Sequence, residues 1–173
     1  MAESGNALEE TPQIRLQSER LLKQLEIVGS NPALSFQRSE KMKKICKSSL
    51  LIIKDKKVLF TKEFEKDRYF TPGGKIENGE TEEDALVREV KEELGVNLVK
   101  PSLKFFAEFE DVATLERSTI LNLKFYTGEI SGEIKPSTDI EELRWFGRDD
   151  DWNKLGNIDK NKVMPWLAKK GLI

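Results

Sequence analysis

The segment that most restricts the fold is residues 81–95, TEEDALVREVKEELG, because both of its ends are marked and its apolar residues follow one helical face. Thr81 is a type of residue that caps helix N-termini, and Gly95 suits the left-handed position that ends a helix. At about 100° per residue, one side carries Leu86, Val87, Val90 and Leu94, and a neighbouring side carries Glu82, Glu89, Glu92 and Glu93. We therefore expect a helix with a buried apolar side and an acidic stripe bordering it, where the wall of a cleft would lie.

The segments around this helix have the pattern of β-strands, with short apolar runs separated by turn residues. Predicted strands lie within residues 48–63, where two runs surround a turn at Asp55, and within residues 103–109, 118–130 and 132–146. Residues 68–81 are rich in glycine and predict a loop, and residues 158–170 predict a closing helix. This order of strands, helix, strands and helix predicts a mixed α/β domain over residues 41–173.

Residues 1–40 have the pattern of an appendage to that domain. The first ten residues are polar and acidic, and we expect them to be disordered. Thr11 and Pro12 then predict the start of an amphipathic helix, with apolar residues at Ile14, Leu21, Leu22, Leu25 and Val28. This helix is expected to pack on its own domain or on a second copy of the chain, forming a homodimer. The alternative is that it forms a docking surface for another protein.

The absence of histidine excludes more functions than any other property of the composition. The chain of 173 residues contains no histidine and one cysteine, Cys46. Serine and cysteine catalysis that depends on histidine is therefore excluded, together with zinc sites that use imidazole or several thiolates. The chemistry has to use carboxylates, lysines, arginines, hydroxyls or a hard cation bound by oxygen.

The charge and hydropathy of the chain limit its partners and its location. The net charge is −2, so we expect no general attraction to nucleic acid or to an anionic membrane. No apolar run is long enough to span a bilayer, and the polar N-terminus does not fit a signal peptide. A single cysteine favours a reducing compartment, so we predict a cytoplasmic protein.

Glu89, Glu92 and Glu93 lie within five positions on the predicted helix. Like charges at such spacings destabilise a helix by roughly 0.2–0.5 kcal/mol per pair. The stripe is therefore either a solvated surface or a place for something positive. The loop before it favours a ligand, because Gly73 and Gly74 allow close backbone approach and Lys75 supplies a charge suited to phosphate. Oxygen ligands beside such a loop suit Mg²⁺ or Mn²⁺.

The stretch from Gly74 to Val96 resembles the Nudix box of the Nudix hydrolase (MutT-like) family at every defined position. Gly74 is followed after five residues by Glu80, and after seven more by REVKEELGV from Arg88 to Val96. The resemblance implies an α/β fold, a Nudix-like α/β/α sandwich with a mixed sheet, to which the N-terminal helix would be an extension. It also implies a pyrophosphohydrolase that cleaves a nucleoside diphosphate linked to another group.

The resemblance also implies roles for individual residues. Glu89, Glu92 and Glu93 would bind divalent cations, Mg²⁺ or alternatively Mn²⁺, with a carbonyl of Gly73 or Gly74 as a further ligand. Arg88 would orient these glutamates, Glu80 would hold Arg88, and Lys75 would bind a substrate phosphate. The general base would be Glu89 or a residue of a later loop. A further metal ligand is expected downstream, with Glu142 or its neighbour Glu141 favoured over Glu116 and Asp139.

The substrate is less constrained than the chemistry. Phe70 and Tyr69, near the glycine loop, could stack on a base, although aromatic residues in such positions also serve as core. Residues 110–117, EDVATLER, lack the proline or tyrosine that in the family accompanies ADP-ribose or dinucleoside polyphosphate substrates. We therefore expect a small-molecule nucleotide of the (d)NTP type, with nucleotide sugars or ADP-ribose as the alternative. A regulatory domain that binds a nucleotide without hydrolysing it is the alternative of another class.

Overall fold

The computed structural model of the protein describes residues 43–115 and 118–173. In this part of the chain the strands are β1 (Lys43–Leu50), β2 (Ile53–Lys54), β3 (Lys57–Glu63), β4 (Gly73–Lys75), β5 (Asn97–Leu98), β6 (Lys104–Val112), β7 (Thr119–Thr127), β8 (Ile130–Ser131) and β9 (Ile140–Phe146). Helix α1 spans Glu82–Leu94, and a π-helical turn over Asp159–Val163 continues into helix α2, Met164–Lys169. Short 3₁₀ turns lie at Lys100–Ser102 and Trp152–Lys154.

The strands form three sheets, and β1 is an inner strand of the largest one, which is mixed. A four-stranded sheet has the order β4-β1-β7-β6, in which β1 is parallel to β7 and antiparallel to β4. Strands β2, β3 and β9 form an antiparallel sheet, and β5 pairs with β8. The predicted α/β fold with a mixed sheet is confirmed.

Two apolar cores attach the helices to the sheets. Helix α1 contributes Leu86, Val90 and Leu94 to a core that also contains Leu50, Leu59 and Tyr126. The closing helical segment contributes Val163, Met164 and Leu167 to a second core with Val58, Phe60, Phe125 and Phe146. Burial of such side chains contributes about 1.5–3 kcal/mol each, so both helices are held firmly on the strands that carry the functional residues.

The turn between β2 and β3 confirms the hairpin predicted around Asp55. Asp55 and Lys56 adopt φ angles of 50° and 61°, the left-handed values that two-residue hairpin turns require. The prediction of a continuous loop over residues 68–81 is wrong in part, because Gly73–Lys75 forms β4 against β1. A Cβ on Gly73 would lie 2.2 Å from the Ser48 carbonyl oxygen. The glycines that suggested a loop are thus needed for the close contact of two strands.

Several predictions concern residues outside those that the structure describes. These are the disordered tail, the amphipathic helix, the homodimer and the contribution of Glu116, and they stay predictions. Among the described residues, no helix has the length and apolar character needed to cross a membrane.

Candidate active site

The ends of helix α1 fix where its glutamates lie. The Thr81 hydroxyl oxygen accepts a hydrogen bond of 3.2 Å from the Asp84 amide, and Gly95 adopts a φ of 68° at the other end. The buried side chains Leu86, Val90 and Leu94 set the rotation of the helix. The acidic residues of the helix therefore do not all lie in one place. Glu82 accepts hydrogen bonds from Lys124 and Tyr126 and does not line the cleft that contains the other three glutamates.

Gly74 provides space for the Glu89 carboxylate. A Cβ on Gly74 would lie 2.0 Å from Glu89 Oε1 and 2.1 Å from its carboxyl carbon. Any side chain at this position would therefore displace Glu89. The first glycine of the motif and its first helical glutamate are thus one structural unit, although they lie far apart in sequence.

Arg88 links the acidic residues into one network. Its Nε and Nη2 donate hydrogen bonds of 3.0 Å each to the two oxygens of Glu80, and Nη2 also donates to the Lys75 carbonyl at 3.1 Å. Nη1 donates to Glu89 at 2.8 Å and to Glu92 at 3.2 Å. All five guanidinium N–H groups thus have acceptors. The hydrogen bonds with Glu80, followed by the one with Glu89, raise the pKa of Arg88 above its ordinary value.

Glu93 is the most perturbed acid of the cleft. Its Oε2 accepts a hydrogen bond of 3.1 Å from the Gly73 amide. Burial, together with the charges of Glu89 and Glu63, raises the pKa of Glu93 to about 8, although the hydrogen bond from the Gly73 N–H opposes the shift. Glu92 is by contrast largely exposed. The three predicted ligands are therefore held in different ways: Glu89 by Arg88, Glu93 by the backbone, and Glu92 at the rim.

These side chains line an open cleft of about 370 Å³. Its further lining residues include the acids Glu63, Glu77 and Asp139 and the lysines Lys47, Lys66 and Lys75. Within the described ranges, no three carboxylates stand at separations that would already hold a metal ion. The donor set nevertheless suits a hard divalent cation, because it consists of oxygen atoms and a bound cation would offset both the burial and the like charges that raise the pKa of Glu93.

A second cavity, of about 280 Å³, adjoins the cleft and has an aromatic and apolar lining. We call it the aromatic pocket; it is lined by Ile45, Lys47, Glu63, Lys66, Phe70, Lys75, Ala113, Thr114, Leu115, Thr119 and Leu121. The Phe70 ring rests on Gly156, where a Cβ would lie 2.7 Å from the ring. Thr119 is fully buried, and its hydroxyl has no hydrogen-bond partner among the described residues. The lining of the pocket thus combines apolar side chains with the four charged residues that also line the cleft.

The structure does not bring every predicted residue into the cleft. The Glu142 carboxylate accepts a hydrogen bond of 2.5 Å from the Tyr69 hydroxyl, and Glu141 pairs with Lys62 at 2.9 Å. Neither residue lines the cleft, whereas Asp139 does. Tyr69 is buried in the core, with its ring 5.2 Å from that of Phe146. Of the two aromatic candidates, Phe70 lies at a cavity and Tyr69 does not.

Four residues near the cavities carry no signal in the motif: Lys47, Glu63, Lys66 and Asp159. Asp159 is buried at a small cavity that shares Lys47 and Phe70 with the aromatic pocket, and the Thr71 hydroxyl lies 3.4 Å from its carboxylate. Burial raises the pKa of Asp159 to about 7. Neither Lys47, in a strand with two further lysines, nor Asp159, in a turn with two lysines, stands out from its neighbours in the sequence.

Comparison with known proteins agrees with this geometry. The model of the NUDIX domain family matches residues 47–167. The ADP-ribose pyrophosphatase of Methanocaldococcus jannaschii is 33% identical over 119 residues, which cover 66% of this chain and 67% of that protein. The nucleoside triphosphatase NudI of an Enterobacter species is 28% identical over 109 residues, covering 58% and 74% of the two chains.

The fold is also that of a solved structure. The crystal structure of the MutT protein from Methanosarcina mazei Go1 superposes with a TM-score of 0.62, covering 77% of this chain and 99% of that one. Its sequence identity is 18%, so this likeness concerns the fold alone.

Proposed function

The chain belongs to the Nudix family of pyrophosphohydrolases, and we propose that it uses a divalent metal ion to hydrolyse a phosphoanhydride bond in a nucleoside triphosphate. The observation that supports this most strongly is the Arg88 network. One guanidinium contacts Glu80, Glu89 and Glu92, and Glu93 lies in the same cleft on the Gly73 amide. A nucleotide-binding domain without catalysis would not need this complete set of acids.

In this proposal Glu89, Glu92 and Glu93 hold the divalent ion, either Mg²⁺ or Mn²⁺. Such an ion lowers the pKa of bound water and neutralises charge on phosphate oxygens. Arg88 orients Glu89 and Glu92 through its hydrogen bonds, and the N–H group of Gly73 orients Glu93 in the same way. Lys75 lies at the edge of the cleft and neutralises a phosphate of the substrate.

The aromatic pocket supports a nucleotide as the substrate. Phe70 offers a ring face on which a base can stack, and the metal-binding acids lie beyond the lysines that border the pocket. Base stacking on an aromatic side chain contributes about 1–3 kcal/mol. A base in the pocket and phosphates in the cleft would place the phosphoanhydride bonds beside Glu89 and Glu93.

The second candidate substrate is ADP-ribose or a nucleotide sugar. It is favoured by the 33% identity to a protein named ADP-ribose pyrophosphatase, which is the higher of the two identities given above. Both candidates share the same chemistry at the metal ion. They differ in the group attached to the second phosphate, which would be bound by residues outside the Nudix box.

A panel of nucleotides tests both candidates. The purified protein is incubated with Mg²⁺ and with each of the (d)NTPs, ADP-ribose and UDP-glucose, and phosphate, pyrophosphate and nucleotide products are quantified. We expect at least one triphosphate to yield monophosphate and pyrophosphate, with no activity after chelation. Preferential cleavage of ADP-ribose or the nucleotide sugar would favour the second candidate. No hydrolysis of any compound would contradict the proposed function.

A further inference from the structure

The border between the acidic cleft and the aromatic pocket is basic. The two cavities share four lining residues, namely Lys47, Glu63, Lys66 and Lys75. The three lysines come from β1, from the connection between β3 and β4, and from β4 itself. A substrate with its base in the pocket and its reacting phosphates in the cleft must therefore cross this basic border.

Lys47 lines both cavities and has no salt-bridge partner among the described residues. It is half-buried, and burial together with the nearby charge of Lys66 lowers its pKa. In the described part of the chain, no carboxylate lies within salt-bridge distance of its ammonium group. A partly buried ammonium group is most stable with a charged partner, and Lys47 is exposed to both cavities where such a partner could bind.

Lys66 has partners, but they are ones that a ligand could replace. Its ammonium group pairs with Glu63 and lies 5.8 Å from the centroid of the Phe70 ring. Phe70 itself is fixed, because its backbone exchanges two hydrogen bonds of 2.9 Å with Thr61. Lys66 follows Glu65, an exposed residue with a φ of 65°. The chain therefore holds the ring in place and projects the lysine over it from an exposed turn.

We propose that Lys47 and Lys66 bind the substrate phosphates that lie between the base and the metal-binding acids, and that Lys66 leaves Phe70 when it does so. This inference rests on the proposed function for the class of ligand, a nucleotide. Ion pairs and cation–π contacts at partly exposed sites are individually weak, whereas a phosphate offers Lys66 a charged partner shared with Lys47. The binding of phosphate would thus uncover the ring on which the base stacks.

This arrangement couples the two halves of the ligand. Without a phosphate, Lys66 remains over Phe70 and competes with a base for the ring. With a phosphate, the same ammonium group contributes to binding and the ring is free. Removal of a lysine with only a structural role would weaken the binding of phosphate and of the base alike. The inference predicts opposite effects on the two and can therefore be tested.

The test measures binding by calorimetry in the presence of Mg²⁺, with inorganic tripolyphosphate and with the four common deoxynucleosides as separate probes. The variants are Lys66→Ala, Lys66→Arg and, as a matched control, Lys44→Ala. Lys44 also pairs with a glutamate, Glu110, but lines neither cavity. We expect Lys66→Ala to weaken tripolyphosphate binding about tenfold and to leave nucleoside binding unchanged or strengthened. Lys66→Arg should retain tripolyphosphate binding, and Lys44→Ala should match the wild type.

Three results would overturn the inference. They are a wild type that does not bind tripolyphosphate, a Lys66→Ala variant that binds it normally, and a variant that loses nucleoside and tripolyphosphate in equal proportion. The hydrolysis panel distinguishes this failure from failure of the proposed function. Hydrolysis by the wild type together with unchanged binding by Lys66→Ala would reject only the role of Lys66. The expected binding pattern without hydrolysis of any nucleotide would reject only the proposed reaction.

Discussion

The acidic cleft and the aromatic pocket adjoin each other, yet the chain builds them in opposite ways. The three glutamates proposed to bind the metal ion come from one helix, and the contacts around them are dense: Arg88 alone contacts Glu80, Glu89, Glu92 and the Lys75 carbonyl. The aromatic pocket is assembled from distant segments, including β1, the start of β7 and Phe70. The residues proposed for the chemistry are thus mostly neighbours in the sequence, while those proposed to bind the base are brought together by tertiary packing.

This contrast predicts that changes in the cleft affect turnover and that changes in the pocket affect substrate binding. The largest effect is expected for Glu93→Gln, which removes one proposed metal ligand while preserving the shape of the side chain. We expect activity in saturating Mg²⁺ to fall at least about a hundredfold. The melting temperature of the metal-free variant should not be lower than that of the metal-free wild type, because a buried acid has been replaced by a neutral group.

The matched control for Glu93→Gln is Glu83→Gln, on the same helix but outside the cleft. It should have normal activity. Near-normal turnover by Glu93→Gln would contradict the proposed role of Glu93 as a metal ligand.

The next largest effect is expected for Gly74→Ala. The new Cβ would lie 2.0 Å from Glu89 Oε1, so the carboxylate has to move away from the loop. Misplacement of a catalytic group by about 1 Å can reduce the rate about a hundredfold, and we expect a loss of this order in kcat. Gly79→Ala is the control, since no atom lies within 4 Å of its added Cβ although its φ is +85°. This control should reduce stability and leave kcat unchanged; equal losses of kcat in both variants would contradict the role of Gly74.

A change in the pocket should have a smaller and different effect. Phe70→Leu removes the ring face proposed to stack on the base, so KM for the preferred triphosphate should rise about tenfold. The value of kcat should change little, because the acids of the cleft are untouched. Phe105→Leu provides an exposed aromatic control on β6, away from both cavities. A fall in kcat without a change in KM for Phe70→Leu would contradict the proposal that the pocket acts in substrate binding and the cleft in turnover.

The smallest expected effect is one of stability, at Asp159. Because burial raises the pKa of this carboxyl to about 7 in the folded state, the protonated form is favoured and folding loses stability as the pH rises from about 4 to 7. Asp159→Asn should therefore be more stable than the wild type at pH 8, by about 1–3 kcal/mol, and similar at pH 4. Urea unfolding at the two pH values measures this difference. A variant that is equally destabilised at both would show that the hydrogen bond to Thr71 matters more than the charge.

The sequence predicts well those features that depend on neighbouring residues, and poorly those that depend on tertiary contacts. Helix α1 has its predicted ends at Thr81 and Gly95 because capping and the apolar stripe act within the segment itself. Lys47 and Lys66 were missed because only the pairing of β1 and the path of the β3–β4 connection bring them to the cleft. Glu142 pairs with Lys62, whereas Glu141 is the extra residue of a bulge in β9, and such a shift of register cannot be read from strand alternation alone.

The most direct test of the proposal that the cleft binds a metal ion is calorimetry of Mg²⁺ binding at pH 7 in buffers with different ionisation enthalpies. With its pKa raised to about 8, Glu93 is mostly protonated in the metal-free protein at this pH, and binding of the cation must expel that proton. We predict release of about one proton per bound ion in the wild type and none from Glu93→Gln. Binding without proton release, or equal release by the two proteins, would contradict the assignment of Glu93 as a ligand.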